Sequence, residues 1–388
     1  MKRYMKITPE GTKDILFEEC LAQREIGARL TNVFQKRGYN EVITPGIEYY
    51  DVFDLEDAGI PQTQMYKSTD NKGRLIVFRP DLTLPIARLT ATRLKSVEKP
   101  IRLYYNQPVY RNRKDLSGRN DESVQAGIEL IGAKGIRADI EVIATAVDAL
   151  SACTKNFRLE IGDARFFQAL ADALPVSAEE KEDIRLMIES KNYAALGDRL
   201  TTLPETPYTE ALRRLPRLFG QEEVFAEAEF FCKDNPQLRE TLSYMKKLYR
   251  ALSMLGLGDR LMVDLGLVQR NDYYTGVVFS AYVENYGEAV LMGGRYDTLL
   301  EKFGEPMPAV GFAADVDALA AKLFETEAQA VETPEVLVHA GDGEEIRAQL
   351  LLKELTEKGK IVESSVFETE EEAREYAEKR GIPEVIIL

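Results

Sequence analysis

Apolar residues recur along this chain with two different periods, and the switches between them mark its elements. From Arg102 to Gly132 the sequence RLYYNQPVYRNRKDLSGRNDESVQAGIELIG predicts two strands, residues 102–111 and Glu122–Ile131, joined by a long polar excursion. Polar and apolar residues alternate in the second strand, and a period of two puts Gln125, Gly127 and Glu129 on one face. Helical spacing governs residues 17–37, where Leu21, Ile26, Leu30, Val33 and Phe34 form one apolar face and Gly38 supplies the stop. A short strand at 39–43 follows, closed by Pro45. Leu75–Phe78 reads as a strand, broken by Arg79-Pro80-Asp81-Leu82-Thr83 before a helix that reaches about Leu94. A helix is expected over 136–150 and a strand over 157–161.

From 163 to 257 the pattern is helical throughout, with caps and breaks at Pro204, Pro207, Pro216 and Asn235-Pro236. The run Leu215-Pro-Arg-Leu-Phe-Gly220 within it reads as core packing. Strands resume at 261–265 and Val277–Val283. Gly293-Gly294-Arg295-Tyr296-Asp297 then reads as a turn into a helix, and 308–319 as strand, turn and helix. A polar, acidic stretch at 325–333 reads as a linker. Beyond it, residues 334–388 read β-α-β-α-β, with strands at 335–340, 360–366 and 384–388 and helices at 344–358 and 369–380. Thr369 and Glu372 have capping-box spacing. The expected organisation is an α+β core from 1–162 and 258–324 built on an antiparallel sheet, a helical insertion at 163–257, the linker, and a small C-terminal α/β domain at 334–388.

Composition narrows the function. At 388 residues with 45% hydrophobic and 30% charged content, the chain has enough apolar mass for two or three domains. Its net charge of −15 argues against a nucleic-acid partner, since phosphate binding relies on clustered Lys and Arg. The three cysteines, Cys20, Cys153 and Cys232, are far apart, which suggests neither a disulfide framework nor a zinc site and fits a reducing cytoplasm. The N-terminus has no signal-peptide core, and no apolar run approaches a membrane span, so a cytoplasmic location is expected. The single histidine, His339, reads as a packed or edge residue, and its solitude excludes a His-based triad or metal cluster in the main domain. Neither G-x-x-x-x-G-K-[ST] nor G-x-G-x-x-G occurs, and no cofactor or metal is expected.

The hairpin carries the candidate chemistry. Glu129 and Gln125 offer a carboxylate and an amide from its floor, and Arg111, Arg113, Lys114 and Arg119 ring the excursion around Gly118. Such an arrangement suits a small zwitterion or a nucleotide, or else is an amphipathic hairpin with a solvated face. Asp81 and Thr83 sit where a helix begins, so capping competes with ligand binding as their role.

Resemblance to a known family changes this balance. Gln107-Pro-Val-Tyr-Arg111, Gly118-Arg119 and Gln125-x-Gly127-x-Glu129 resemble, in register, the second signature of class II histidyl-tRNA synthetases. Residues 17–45 resemble the first signature, which forms the dimer interface in that family, and 308–319 resemble the third. Leu267 to Gly276 resembles a histidine-specific segment, and the C-terminal piece stands where the synthetases carry an anticodon-binding domain, though it is shorter and acidic. The resemblance implies a class II synthetase-like fold over most of the chain, with the helical insertion matching least.

On the histidine side, Thr83, Gln125, Glu129, Tyr273 and Tyr274 match the family, and Asp81 stands one methylene short of its Glu. These residues imply acceptors for an ammonium and partners for an imidazole N–H. Arg111, also kept, implies a partner for the substrate carboxylate. The ATP side has changed. Asp317-Ala318 replaces Glu-Arg, Arg113 replaces an acid, Ser123 replaces an aromatic residue, and Gln269 replaces the arginine that stabilises negative charge during activation.

Loss of the nucleotide side with retention of the amino-acid side is similar to the regulatory subunits of ATP phosphoribosyltransferase. The resemblance implies a non-catalytic chain that activates a short-form catalytic subunit in a hetero-octamer, forms a self-dimer and binds L-histidine for feedback inhibition, with Gly118-Arg119 and the Tyr pair as moving parts. Two alternatives stay open: a divergent histidyl-tRNA synthetase, and a histidine-binding regulator of another enzyme.

Overall fold

The computed structural model describes residues 4–55, 59–113, 120–268, 273–327 and 330–388. The chain divides into two compact units, 1–327 and 328–388.

The larger unit is built on a nine-stranded sheet. Its order is Asn40–Glu41, Ile101–Tyr110, Glu122–Ile131, Ala309–Asp315, Ala289–Arg295, Val277–Val283, Phe157–Asp163, Leu261–Asp264 and Phe219–Gly220. Its pairings are antiparallel except at two places, Asn40–Glu41 on Ile101–Tyr110 and Phe157–Asp163 on Leu261–Asp264. Period-two alternation sends neighbouring side chains to two different cores. Tyr104, Ala126, Ile128, Leu130, Phe312 and Ala314 join the core under the helices Phe17–Lys36, Ile136–Cys153 and Val316–Glu327. Leu103, Tyr105, Ala309 and Val278 face the opposite core, shared with Leu82, Leu84, Tyr273, Tyr274 and Tyr296. Glu129 and Gly127 belong to this second face.

Helix Phe17–Lys36 buries Ala22, Ile26, Leu30 and Phe34 at helical spacing, and Gly38 follows its end at φ +82°. Gly27 in mid-helix allows close approach to the hairpin, because a Cβ there would lie 2.6 Å from the Asn106 amide.

Three sequence expectations change. Gly293, Gly294 and Arg295 continue the strand Ala289–Arg295, and no turn into a helix occurs there; a 3-10 segment, Leu299–Phe303, comes later. The reason is crowding. A Cβ on Gly293 would lie 2.5 Å from both the Gly311 carbonyl and the Phe279 ring, and one on Gly294 would lie 2.6 Å from the Tyr274 ring. The glycines serve close packing in a central strand. Second, the 163–257 segment holds a two-residue strand, Phe219–Gly220, paired with Leu261–Asp264. Third, helix Val316–Glu327 runs into the stretch read as linker, carried by buried Ala320 and Leu323. Elsewhere in 163–257 the caps suffice to start helices. Asp163, Ser177, Asn192, Thr206 and Asn235 each accept from a first-turn backbone N–H. Leu215 and Leu218 are fully buried.

The smaller unit is a parallel three-stranded sheet, Val362–Ser364, Val336–His339 and Glu384–Ile387, with helices Glu345–Glu357 and Glu370–Arg380. Thr369 and Glu372 form the capping box. His339 is buried, its Nδ1 3.0 Å from the Ser365 hydroxyl.

Candidate functional site

The site is assembled on one rung of the sheet. Glu129 stands between Leu103 on one side and Gly311 on the other, and Gly311 pairs in turn with Gly294. The absence of side chains at Gly311 and Gly294 makes room for the Glu129 carboxylate and the Tyr274 ring. One rung along, Gly127 lies between Tyr105 and Ala313, and the Tyr105 hydroxyl occupies the space a Cβ on Gly127 would need. Two rungs from Glu129, Gln125 pairs with Gln107 and Asp315.

Glu129 is 1% exposed. Its Oε1 accepts from the Thr83 hydroxyl at 2.8 Å, and its Oε2 accepts from the Tyr296 hydroxyl. Burial pushes its carboxyl up to about 8; the two hydrogen bonds oppose this and the nearby Asp81 charge adds to it. Asp81 is also held above its usual range by burial, with Arg111 pulling the other way. Asp81 Oδ1 accepts from the Leu84 N–H at 3.0 Å, which is the capping role, while Oδ2 lies 3.8 Å from Arg111 Nη2. Arg111 also donates from Nε to the Pro80 carbonyl at 2.7 Å. Tyr273 packs tilted against Tyr274 and edge-on against Tyr296, with ring centroids 4.9 and 5.7 Å away, and burial raises its hydroxyl well above the usual tyrosine range.

Chemically this is a buried, ring-lined site around a carboxyl pushed up to about 8. Such a group can pair with a cationic ligand by releasing its proton. The neighbouring Asp81–Arg111 pair presents an acceptor and a cation side by side, as an amino acid's two charged groups require.

The raised carboxyl carries a stability signature. The folded state keeps the Glu129 proton where the unfolded chain, with its ordinary carboxyl near 4.5, has lost it. Its contribution is therefore full below about pH 4.5 and is lost as pH rises through about 8. Relative to Glu129→Gln, the unaltered chain should lose stability to urea between pH 5 and pH 8. A difference independent of pH would reject the buried neutral carboxyl.

Of the residues singled out in the sequence, Asp81, Thr83, Arg111, Glu129, Tyr273 and Tyr274 converge on this pocket, with Gln125 two rungs away on the same face. Tyr296, Tyr105 and Gly311 were not singled out as site residues. Tyr296 reaches Glu129 across 167 positions of sequence, and nothing local announces that meeting. The positions that the resemblance assigns to the nucleotide side gather elsewhere. Arg113, Ser123, Asp317 and Ala318 line a cavity of about 400 Å³ that neither Glu129 nor Asp81 lines. Asp317 there accepts from Gln23 Nε2 at 2.6 Å and from the Val124 N–H at 2.9 Å. Gln269, Arg270 and Gly118-Arg119 lie outside the described residues.

The fold and the pocket define a class II synthetase-like protein. The family model for histidyl-tRNA synthetase matches residues 11–319. A crystal structure titled as an ATP phosphoribosyltransferase regulatory subunit/histidyl-tRNA synthetase from Bacillus halodurans superposes with a TM-score of 0.86 at 30% identity, covering 100% of this chain and 99% of that one. Histidyl-tRNA synthetase from Nostoc sp. PCC 7120 shares the fold with a TM-score of 0.77 at 19% identity, over 97% of this chain and 90% of that one. Among curated proteins, the ATP phosphoribosyltransferase regulatory subunit of Clostridium kluyveri is 39% identical over 98% of this chain and 99% of its own length. That of Bacillus mycoides is 37% identical over 100% of this chain and 92% of its own length. The chain belongs to the family of ATP phosphoribosyltransferase regulatory subunits. Among the described residues, no helix is long and apolar enough to cross a membrane.

Proposed function

We propose that this chain is a non-catalytic regulatory subunit of ATP phosphoribosyltransferase that activates a short-form catalytic subunit and binds L-histidine for feedback inhibition, in the cytoplasm. The observation that carries the reading is the buried Glu129 carboxyl, held by Thr83 and Tyr296 beside the Asp81–Arg111 pair. Asp81, Thr83 and Gln125 would receive the ligand's ammonium, Arg111 its carboxylate, and Glu129 with Tyr273 and Tyr274 its imidazole. Histidine then inhibits by binding more tightly to one conformation of a mixed assembly, a hetero-octamer, and shifting population toward it.

Absence of synthetase activity is part of the proposal. An adenylating site needs a cation over the nucleotide and a ring to stack on the base, where this chain places Ala318 and Ser123. The domain division is proposed as 1–162 and 258–327 for the synthetase-like core, 163–257 for its insertion and 334–388 for a separate small domain, the linker beginning only after Glu327.

The test is formation of phosphoribosyl-ATP by a short catalytic subunit with and without this chain. Turnover is expected to require the chain, and added histidine to suppress it. Glu129→Ala should weaken that suppression at least tenfold. An unaffected catalytic subunit, or histidine-dependent ATP–pyrophosphate exchange by this chain alone, would overturn the reading.

A self-dimer is supported by an exposed apolar surface on a three-stranded antiparallel sheet of the larger unit, Ile47–Tyr49, Leu75–Phe78 and Lys67–Thr69. Ile47, Tyr49 and Phe78 are exposed on one face of two adjacent strands, with Ile43 80% exposed just before them. Ile47→Asp should convert a dimer to a monomer in light scattering, and an unchanged mass would reject this face.

A further inference from the structure

The cavity at the loop end of the hairpin holds no ligand in that proposal. Its volume of about 400 Å³ lies within the roughly 300–1,000 Å³ range of small-molecule sites. Of the charged side chains on its wall, Lys13 and Glu19 pair with each other and Glu325 pairs with Lys322, while Arg113 and Asp317 give it a distinct character. Arg113 has a buried Nε without a hydrogen-bond partner, although its own backbone N–H is tied to Asp121 Oδ1 at 2.9 Å. A buried donor of this kind is costly unless an acceptor arrives. Asp317 is satisfied by Gln23 and the Val124 N–H, both neutral, so its negative charge is not cancelled by these contacts. Asp315, also on the wall, accepts from the Ala318 N–H at 3.0 Å.

We infer that this cavity is a second ligand site, separate from the Glu129 pocket, for a small zwitterion of the amino-acid class. The ligand's carboxylate meets the Arg113 guanidinium, and its ammonium meets Asp317. Ala318, Ala321 and Phe324 leave an apolar corner for a side chain. A purely anionic ligand is opposed by Asp317, and so are the phosphates of a nucleotide.

The experiment is saturation-transfer NMR on the full chain, with each of the twenty proteinogenic L-amino acids and with ADP as probes. The variants are Arg113→Ala, Ala321→Phe and Glu129→Gln. Ala321 is exposed on its helix, so a phenylalanine there obstructs the cavity without entering the core. The expected result is at least one amino acid whose binding falls tenfold or more in both Arg113→Ala and Ala321→Phe but persists in Glu129→Gln. Binding lost in Glu129→Gln alone would overturn this inference and leave the proposed histidine pocket standing. Loss in all three variants would mean one continuous site and would also overturn it, as would ADP binding that depends on Arg113 or no Arg113-dependent amino acid at all. Should Arg113→Ala misfold, binding unchanged in Ala321→Phe is sufficient to reject the cavity.

Discussion

Arg295→Met is expected to destabilise the fold by roughly 3–5 kcal/mol, the range for removing one partner of a buried ion pair. Arg295 ends a central strand and is 6% exposed, and Asp139 on the neighbouring helix is fully buried. Nε and Nη2 donate to Asp139 Oδ1 at 2.9 and 2.6 Å, while Nη1 reaches Asp297 Oδ1 at 2.9 Å and the Ala133 carbonyl at 3.2 Å. Asp139 also accepts from the Tyr244 hydroxyl, so one carboxylate joins sheet, helix Ile136–Cys153 and helix Pro236–Leu252. Burial holds the Asp139 carboxyl above its usual range, and Arg295 is the main influence against that. Without the guanidinium the carboxyl rises further, so the variant's deficit should grow as pH increases from 5 to 8. Urea unfolding at both pH values measures this. Arg295→Met combined with Asp139→Leu should recover part of the loss, because no unpaired charge is then buried. A single variant within 1 kcal/mol of the unaltered chain would reject the account.

Gly311→Ala should have the second large effect, on both stability and the proposed histidine binding. The added Cβ would lie 1.8 Å from Glu129 Oε2 and 2.4 Å from the Ile128 carbonyl oxygen, and neither has free space to retreat into. Overpacking of this kind costs typically about 1–3 kcal/mol and occasionally more. The carboxylate can move only by abandoning Thr83 or Tyr296, so calorimetry should find histidine binding abolished in any fraction that folds. Gly287→Ala is the control, since Gly287 is exposed and nothing lies within 4 Å of the Cβ it would gain. Equal behaviour of the two variants would show that the close approach at Gly311 carries no cost.

The hairpin, the first helix and the C-terminal β-α-β-α-β order were legible because each depends on short-range periodicity. Alternation from Ser123 to Leu130 was enough to put Gln125, Gly127 and Glu129 on one face, and the structure keeps them there. The helix start at Thr369 was legible for a similar reason, since a cap bonds within its own first turn. The segment Gly293-Gly294-Arg295 failed the same approach. Paired glycines favour a turn by local preference, and only the rings of Phe279 and Tyr274 across the sheet make them strand residues.

What the sequence by itself determined is therefore the inventory of side chains available to a candidate site. Tertiary structure alone decided their state. Sheet register brings Gly311 opposite Glu129 and Tyr296 onto its carboxylate from far along the chain, and exclusion of water around that contact raises the carboxyl. It also gathers Arg113, Ser123 and Asp317 around one cavity. The physical reason is range. Periodicity and caps act within a few residues, whereas burial and pairing depend on which distant segments share a rung of the sheet.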